Sequence, residues 1–300
     1  MLVTIHEKHI DETAANKISG ALETGNIVYF PRCPFPLPEE ADLEFLRREL
    51  PGQLKLKNIS YHPEAKKIRG IEGEPALVQR AERILVEHSE RLQAFLAKAT
   101  PQLADGCVVG TSSFRPIQEH GRKLKPHASN ELVHIDAGAY GATNGDRIFR
   151  FFVNVNPEED RVWATKGAFA DLYEKYGRDA GIRPLSRGQL TKGPLDHMRT
   201  GLLKGLAAAG LSVATVVDSS PYDRVMRRFH NFMKDTPEFQ RDPQNHQEIR
   251  FPPYSAWMVF TDMVSHASLS GQFALVNTNL IRLRSCRMPE LAPINILRAA

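Results

Sequence analysis

Cysteine is scarce in this 300-residue chain: Cys33, Cys107 and Cys286 are odd in number, far apart, and form no Cys-x-x-Cys pair. That disfavours a disulfide framework or a zinc knuckle and fits a reducing compartment. No stretch approaches the roughly 20 consecutive apolar residues that a spanning helix requires. The opening Met1-Leu2-Val3-Thr4-Ile5-His6-Glu7-Lys8 has no basic head leading into an apolar run, so it does not read as an export signal. A globular, cytoplasmic protein is expected. Strong charge of either sign is also missing. With 39 Lys+Arg against 35 Asp+Glu the net charge is +4, far from a nucleic-acid binder's excess but compatible with an anionic partner or membrane surface. There is no internal repeat, no low-complexity tract and no Gly-rich turn of the dinucleotide-binding kind.

What is present is ordinary globular material, 42% hydrophobic and 25% charged, in a chain long enough to bury a large core. Residues 11–23 read as a helix stopped by Gly25-Asn26, and residues 27–31 as a short buried strand. Pro34, Pro36 and Pro38 make a stiff connection into a charged helix near 39–49. Leu77, Ala81, Ile84, Leu85, His88, Leu92 and Phe95 recur at helical spacing and predict an amphipathic helix over 75–99. Residues 108–117, 132–136, 147–156, 255–261 and 271–284 are β-branched or aromatic runs, with helices inserted near 168–176, 195–209 and 222–234. The expected organisation is one α+β domain over 1–300, mainly helical support in 1–105 and a mainly β core with helical insertions in 106–290. Regular strand–helix alternation is absent, which argues against a parallel sheet.

Most of the eleven histidines stand alone, and His230 is read simply as a helix residue. His134-Ile135-Asp136 differs. It ends an apolar run, and positions i and i+2 of an extended segment point the same way, so both side chains can grip one ion. A third ligand is expected from His266, in a later strand-rich segment. Two histidines and one carboxylate on one face of an octahedron leave positions open, the arrangement non-haem Fe(II) oxygenases use; a redox-silent tetrahedral zinc site suits it less.

Three further stretches carry a resemblance. Asn144-Gly145-Asp146 leads into Arg147-Ile148-Phe149-Arg150-Phe151-Phe152-Val153-Asn154-Val155-Asn156-Pro157, similar to the strand after the His-x-Asp motif in 2-oxoglutarate-dependent dioxygenases. The segment from Phe251-Pro252-Pro253-Tyr254 through His266-Ala267-Ser268-Leu269-Ser270-Gly271-Gln272, with Ser113-Phe114-Arg115-Pro116 and Arg161-Val162-Trp163, resembles the Kdo (3-deoxy-D-manno-oct-2-ulosonic acid) hydroxylases. That resemblance implies a double-stranded β-helix (jelly roll) with Fe(II) on His134, Asp136 and His266, and 2-oxoglutarate and O2 as co-substrates. It also implies hydroxylation at C3 of Kdo in lipopolysaccharide or Kdo-lipid A, with peripheral contact at the inner membrane. Two other readings stay open: a protein side-chain hydroxylase of the prolyl type, and a non-catalytic jelly-roll sugar binder.

Relatives often anchor 2-oxoglutarate with an Arg about ten residues past the distal histidine; here that position is Val276. The expected anchors are therefore Arg150, sharing parity with Phe152, Asn154 and Asn156, and Arg282, sharing parity with Gln272 on the last strand. A planar guanidinium gives a carboxylate two charge-assisted bonds. Asn154 and Gln272 are further co-substrate candidates. Arg115, Arg122, Lys123 and Lys125 offer partners for an anionic sugar, and Trp163 a stacking face.

Overall fold

The computed structural model describes residues 1–6, 9–121, 125–138, 142–182, 198 and 220–299. The helix expected near 195–209 and the side chains of Arg122 and Lys123 lie outside these residues.

Strand β1 (Leu2–Thr4) is followed by helix α1 (Glu12–Glu23), whose N-cap Asp11 accepts the Ala14 amide. Then come β2 (Ile27–Phe30) and α2 (Glu40–Glu44), the latter running into a wider turn over Phe45–Glu49. Strands β3 (Ile59–His62) and β4 (Lys67–Arg69) form a hairpin before the long helix α3 (Pro75–Ala99) and short α4 (Pro101–Asp105). The strand-rich part comprises β5 (Cys107–Val108), β6 (Ser112–Arg115), β7 (Arg147–Asn154) and β8 (Arg161–Thr165). After α5 (Phe169–Tyr176) come α6 (Pro221–Asp235), α7 (Pro237–Arg241), β9 (Gln247–Phe251), β10 (Ala256–Phe260), β11 (Ala267–Ser270), β12 (Ala274–Ile281) and α8 (Pro293–Ala299).

The result is a mixed α+β fold around a large, mainly antiparallel sheet ordered β1-β2-β10-β7-β12-β6-β3-β4, with β5 also on β12. A second sheet, β11-β8-β9, is smaller. The alternation of β7 divides its work. Phe149, Phe151 and Val153 join the core under α1 and α3, whereas Phe152 joins Trp163, Ile249, Phe251, Trp257, Val259 and Val276 between the sheets. There Phe251 and Trp257 stack with ring centroids 3.8 Å apart.

The N-terminal third, helical over α1 and α3, also sends β1 to β4 into the large sheet. Of these, β2 falls on the residues read as a short buried strand, whereas β1, β3 and β4, three or four residues each, carry too little periodicity to register before their partners are known. Residues 132–136 are likewise extended without forming a regular strand, apart from the isolated bridge His134–His266.

On α3, His88 is wholly buried and neither ring nitrogen has a hydrogen-bond partner. Burial, helped by nearby Arg91, pushes its imidazole down to about 3. The unfolded chain therefore takes up a proton that the folded one refuses. The stability linked to this group is complete above about pH 6.5 and is lost as pH falls toward 3. We expect His88→Leu to unfold at a lower pH than the unaltered protein in an acid titration followed by circular dichroism, with no loss of stability at pH 8, since apolar replacement removes two unpaired polar atoms. An unchanged acid midpoint would show that other groups govern acid unfolding.

Candidate metal centre

Two segments more than a hundred residues apart are joined main chain to main chain. His134 N donates to His266 O at 3.0 Å and His266 N to His134 O at 2.8 Å, while Asp136 N donates to Thr261 O at 2.8 Å. The stretch from Thr261 to His266 is itself held by a buried ion pair. Arg147 Nε donates to Asp262 Oδ2 at 2.7 Å, and the other oxygen of Asp262 accepts Ile148 N at 3.0 Å.

On this frame His134 Nε2 and Asp136 Oδ1 lie 3.7 Å apart, and His266 Nε2 lies 4.0 Å from the same oxygen. One ligand atom from each residue lies within 4.8 Å of the others, and among the described residues no other group of His, Cys, Asp and Glu meets that condition. His134 Nδ1 donates to Leu132 O at 2.7 Å and His266 Nδ1 to Val264 O at 3.0 Å. These bonds fix the tautomer in which each Nε2 keeps its lone pair for a ligand.

Burial pushes both imidazoles below their ordinary value; for His134 the neighbouring His266 adds to this and Asp136 opposes it. Burial alone would raise the Asp136 carboxyl, but Arg150, His266 and His134 together hold it well below the usual carboxylate range. Arg150 Nη2 is 2.9 Å from Asp136 Oδ2, yet that oxygen receives no directed hydrogen bond. Two neutral imidazole lone pairs and an anionic oxygen thus converge with no proton to share. That donor set suits a divalent cation. Trp163 stacks on His266, centroids 5.2 Å apart and planes 23° apart, and so braces that ligand from behind.

Helices α6 and α7 clamp the His-x-Asp segment from the other side. His230 Nδ1 donates to Ile135 O at 2.7 Å, and its ring sits edge-on to His134 with centroids 5.0 Å apart. One turn on, Lys234 Nζ reaches Ser129 O at 2.9 Å, and Gln240 bonds both the amide and the carbonyl of Val133. Asp223 accepts Thr143 N and Oγ1 at 2.8 and 2.7 Å while capping its own helix with Ser220. Reading His230 as a plain helix residue misses this. The available signal was the spacing of Asp223, His230 and Lys234, a polar stripe on an otherwise apolar helix face.

Three guanidiniums lie near the triad, Arg161 buried and Arg115 and Arg150 partly so. Arg161 is committed to Glu119 at 3.2 Å and Ser268 Oγ at 2.9 Å, and Arg150 to Asp136. Arg115, opposite Ala274 in the β6–β12 register, lies over the Phe152 ring with its Cζ 5.9 Å from the centroid. Its Nε is buried without a partner, and no carboxylate among the described residues pairs with it. Burial, with Arg150 and Arg161 close by, brings its normally very high value down to about 9.

Several expected site residues are placed differently. Arg282 follows the end of β12, so strand parity no longer governs it; it is half exposed and bonded to Asp146 at 2.8 Å. Asn154 spends its side chain on the strand-end turn, donating to Glu159 O and Phe251 O and accepting Asn156 N. Gln272 Nε2 donates to Pro116 O at 2.9 Å. Trp163, only 2% exposed, belongs to the inter-sheet core and offers no open face to a sugar. Lys125 is exposed.

The facial pair of histidines and a carboxylate on this frame define the class of the non-haem iron oxygenases. Comparison then narrows it. A profile described as 3-deoxy-D-manno-oct-2-ulosonic acid (Kdo) hydroxylase matches residues 5–300, and the chain belongs to that family. Among solved structures it is similar to the Kdo hydroxylase KdoO, a non-haem Fe(II) alpha-ketoglutarate-dependent dioxygenase. The apo form matches at 27% identity over 99% of this chain and 95% of that one, TM-score 0.83. The complex with alpha-ketoglutarate and Fe(III) gives the same figures, and the complex with succinate and Fe(III) a TM-score of 0.82. No curated protein matches the chain.

If His230 positions the His-x-Asp segment, His230→Leu should weaken Fe(II) or Co(II) binding about ten- to a hundredfold, the usual scale for such supporting groups. Titration calorimetry under anaerobic conditions would measure it. Unaltered metal affinity would assign His230 to packing alone.

Proposed function

We propose that the protein hydroxylates C3 of a Kdo residue in lipopolysaccharide or its Kdo-lipid A precursor, on the cytoplasmic side of the inner membrane. Fe(II) is the resident metal, and 2-oxoglutarate and O2 are consumed with release of succinate and CO2. The observation that carries this reading is the triad of His134, Asp136 and His266 near Arg115, a partly buried cation with a buried, unpartnered Nε and no carboxylate in ion-pair contact among the described residues. We read the two sheets as a double-stranded β-helix and the chain as one domain, supported by the aromatic layer of Phe152, Trp163, Phe251 and Trp257 between them.

The iron, with its co-substrates, supplies the oxidising power for C–H hydroxylation. The protein's own residues do the rest. His134, Asp136 and His266, whose ligand atoms lie within 4.8 Å of one another, would hold the metal. Arg150 keeps Asp136 ionised and therefore ligating. Arg115 takes the distal carboxylate of 2-oxoglutarate, with Arg150 beside it, because a desolvated guanidinium gains most from a charged partner in a dry site. Glu119 and Ser268 hold Arg161 away from that role. The apolar layer behind the ligands limits water, which protects the oxidising centre from unproductive turnover. Lys125, exposed on the segment leading to the His-x-Asp motif, lies on the rim toward an acidic sugar, for which electrostatic attraction serves encounter more than fit.

With Fe(II), 2-oxoglutarate and Kdo-lipid A, purified protein should release succinate, and mass spectrometry should find one added oxygen on a Kdo unit. Asp136→Ala should abolish turnover. Arg115→Ala should raise the KM for 2-oxoglutarate about tenfold or more, the cost of one charge-assisted bond. Succinate release driven by a peptide and indifferent to Kdo would move the protein to the side-chain hydroxylases. An unchanged KM in Arg115→Ala would remove that anchor.

A further inference from the structure

On the opposite face of the large sheet from the metal ligands, a cavity of about 870 Å3 opens between the β2 exit, the proline-rich connection and α3. Its floor is Phe30, Phe35 and Phe95 with Ile5 and Ile10. The rings pack on each other, Phe30 edge-on to Phe95 at 5.6 Å and Phe35 tilted on Phe95 at 5.8 Å. Phe151 of β7 lies beneath them, 5.3 Å from Phe35. The wall is built. Arg91 on α3 donates to the carbonyls of Pro36 and Leu37 at 3.3 and 2.9 Å and fastens the connection against the helix, while Cys33 N bonds Tyr254 O at 2.9 Å.

Among the described residues, every polar side chain lining the cavity apart from the Cys33 thiol is a base: His6, His9, Arg32, Arg91 and Lys98. Arg32 and Lys98 are exposed, and neither has an ion-pair partner among the described residues. An apolar floor under a cationic rim fits one chemistry well, an alkyl chain ending in an anionic head. A nucleotide fits less well, since the floor side chains, Phe30, Phe35, Phe95, Ile5 and Ile10, offer no donor or acceptor to a base edge. The volume falls within the roughly 300–1,000 Å3 of small-molecule pockets, room for one chain and not for a whole multi-chain lipid.

We propose that this cavity binds an acyl chain of an anionic membrane lipid, phosphate outward against Arg32 and Lys98, and thereby docks the protein on a bilayer. No helix among the described residues is long and apolar enough to cross one. The site is separate from the metal centre, so its occupancy does not depend on the reaction assigned above.

Titration calorimetry with decyl phosphate below its micelle concentration tests this, with inorganic phosphate and decyl maltoside as controls. Saturable one-to-one binding is expected, at least tenfold tighter than either control. Affinity should rise about fourfold per added CH2 from octyl to decyl phosphate, the value of burying one methylene. Arg32→Ala and Lys98→Ala should each weaken binding about fivefold. Ala94, an exposed lining residue on α3, allows the cavity to be filled from its open side. Ala94→Trp should abolish decyl phosphate binding and lower co-sedimentation with phosphatidylglycerol vesicles, while leaving Co(II) affinity at the triad unchanged. Absence of binding to the unaltered protein, equal binding of inorganic phosphate or decyl maltoside, or full binding by Ala94→Trp with a native circular dichroism spectrum would each overturn the proposal.

Discussion

Reciprocal main-chain hydrogen bonds between His134 and His266 are the constraint on which the site depends. Three lone-pair donors within 4.8 Å of one another repel unless a cation lies among them, so the chain must impose their approach before any metal arrives. It does so with backbone: the paired bridge, the Asp136–Thr261 bond, and the carbonyls of Leu132 and Val264 that orient each imidazole. Side chains then secure the backbone from two directions. Asp262 and Arg147 pin the turn after β10, and His230, Lys234 and Gln240 pin the His-x-Asp segment from the helices. A site held by supporting groups on rigid elements keeps the tolerance that metal geometry demands.

Charge in the interior follows a similar economy. Asp136 and Glu119 each have an arginine, and the third guanidinium, Arg115, is left without one. Burying a cation without a counter-ion is destabilising, and the dicarboxylate proposed to bind there would offset that loss. The same strand that positions Arg150 toward Asp136 sends Phe149 and Phe151 into the opposite core, so the site and the main hydrophobic layer share β7. Phe151 also lies under the aromatic floor of the second cavity. The two faces of one strand thus serve the metal centre and the proposed lipid site.

Much of this was legible in the chain. Helix α3 spans the residues its apolar spacing indicates, and α1 begins at the capping Asp11. The His-x-Asp pair rests on a two-residue period that survives even though residues 132–136 form no regular strand. Where inference from parity failed, the cause is specific. Arg282 lies beyond Ile281, where β12 ends, so it turns outward to Asp146. Asn154 sits at a strand end whose turn consumes its amide, and Trp163 is enclosed by partners from β7, β9 and β10.

By itself the sequence determined the local elements and nominated His134, Asp136 and His266 as candidate ligands, and through resemblance it pointed to the family. Those features depend on neighbours within a few residues or on recognisable strings. Only the tertiary structure decided which arginine lacks a carboxylate, that His230 and Lys234 hold the metal-binding segment, and that the four short N-terminal strands join the large sheet. Each of these depends on contacts between residues far apart in the chain. Alternation and spacing say which way a side chain points, but not what stands opposite it.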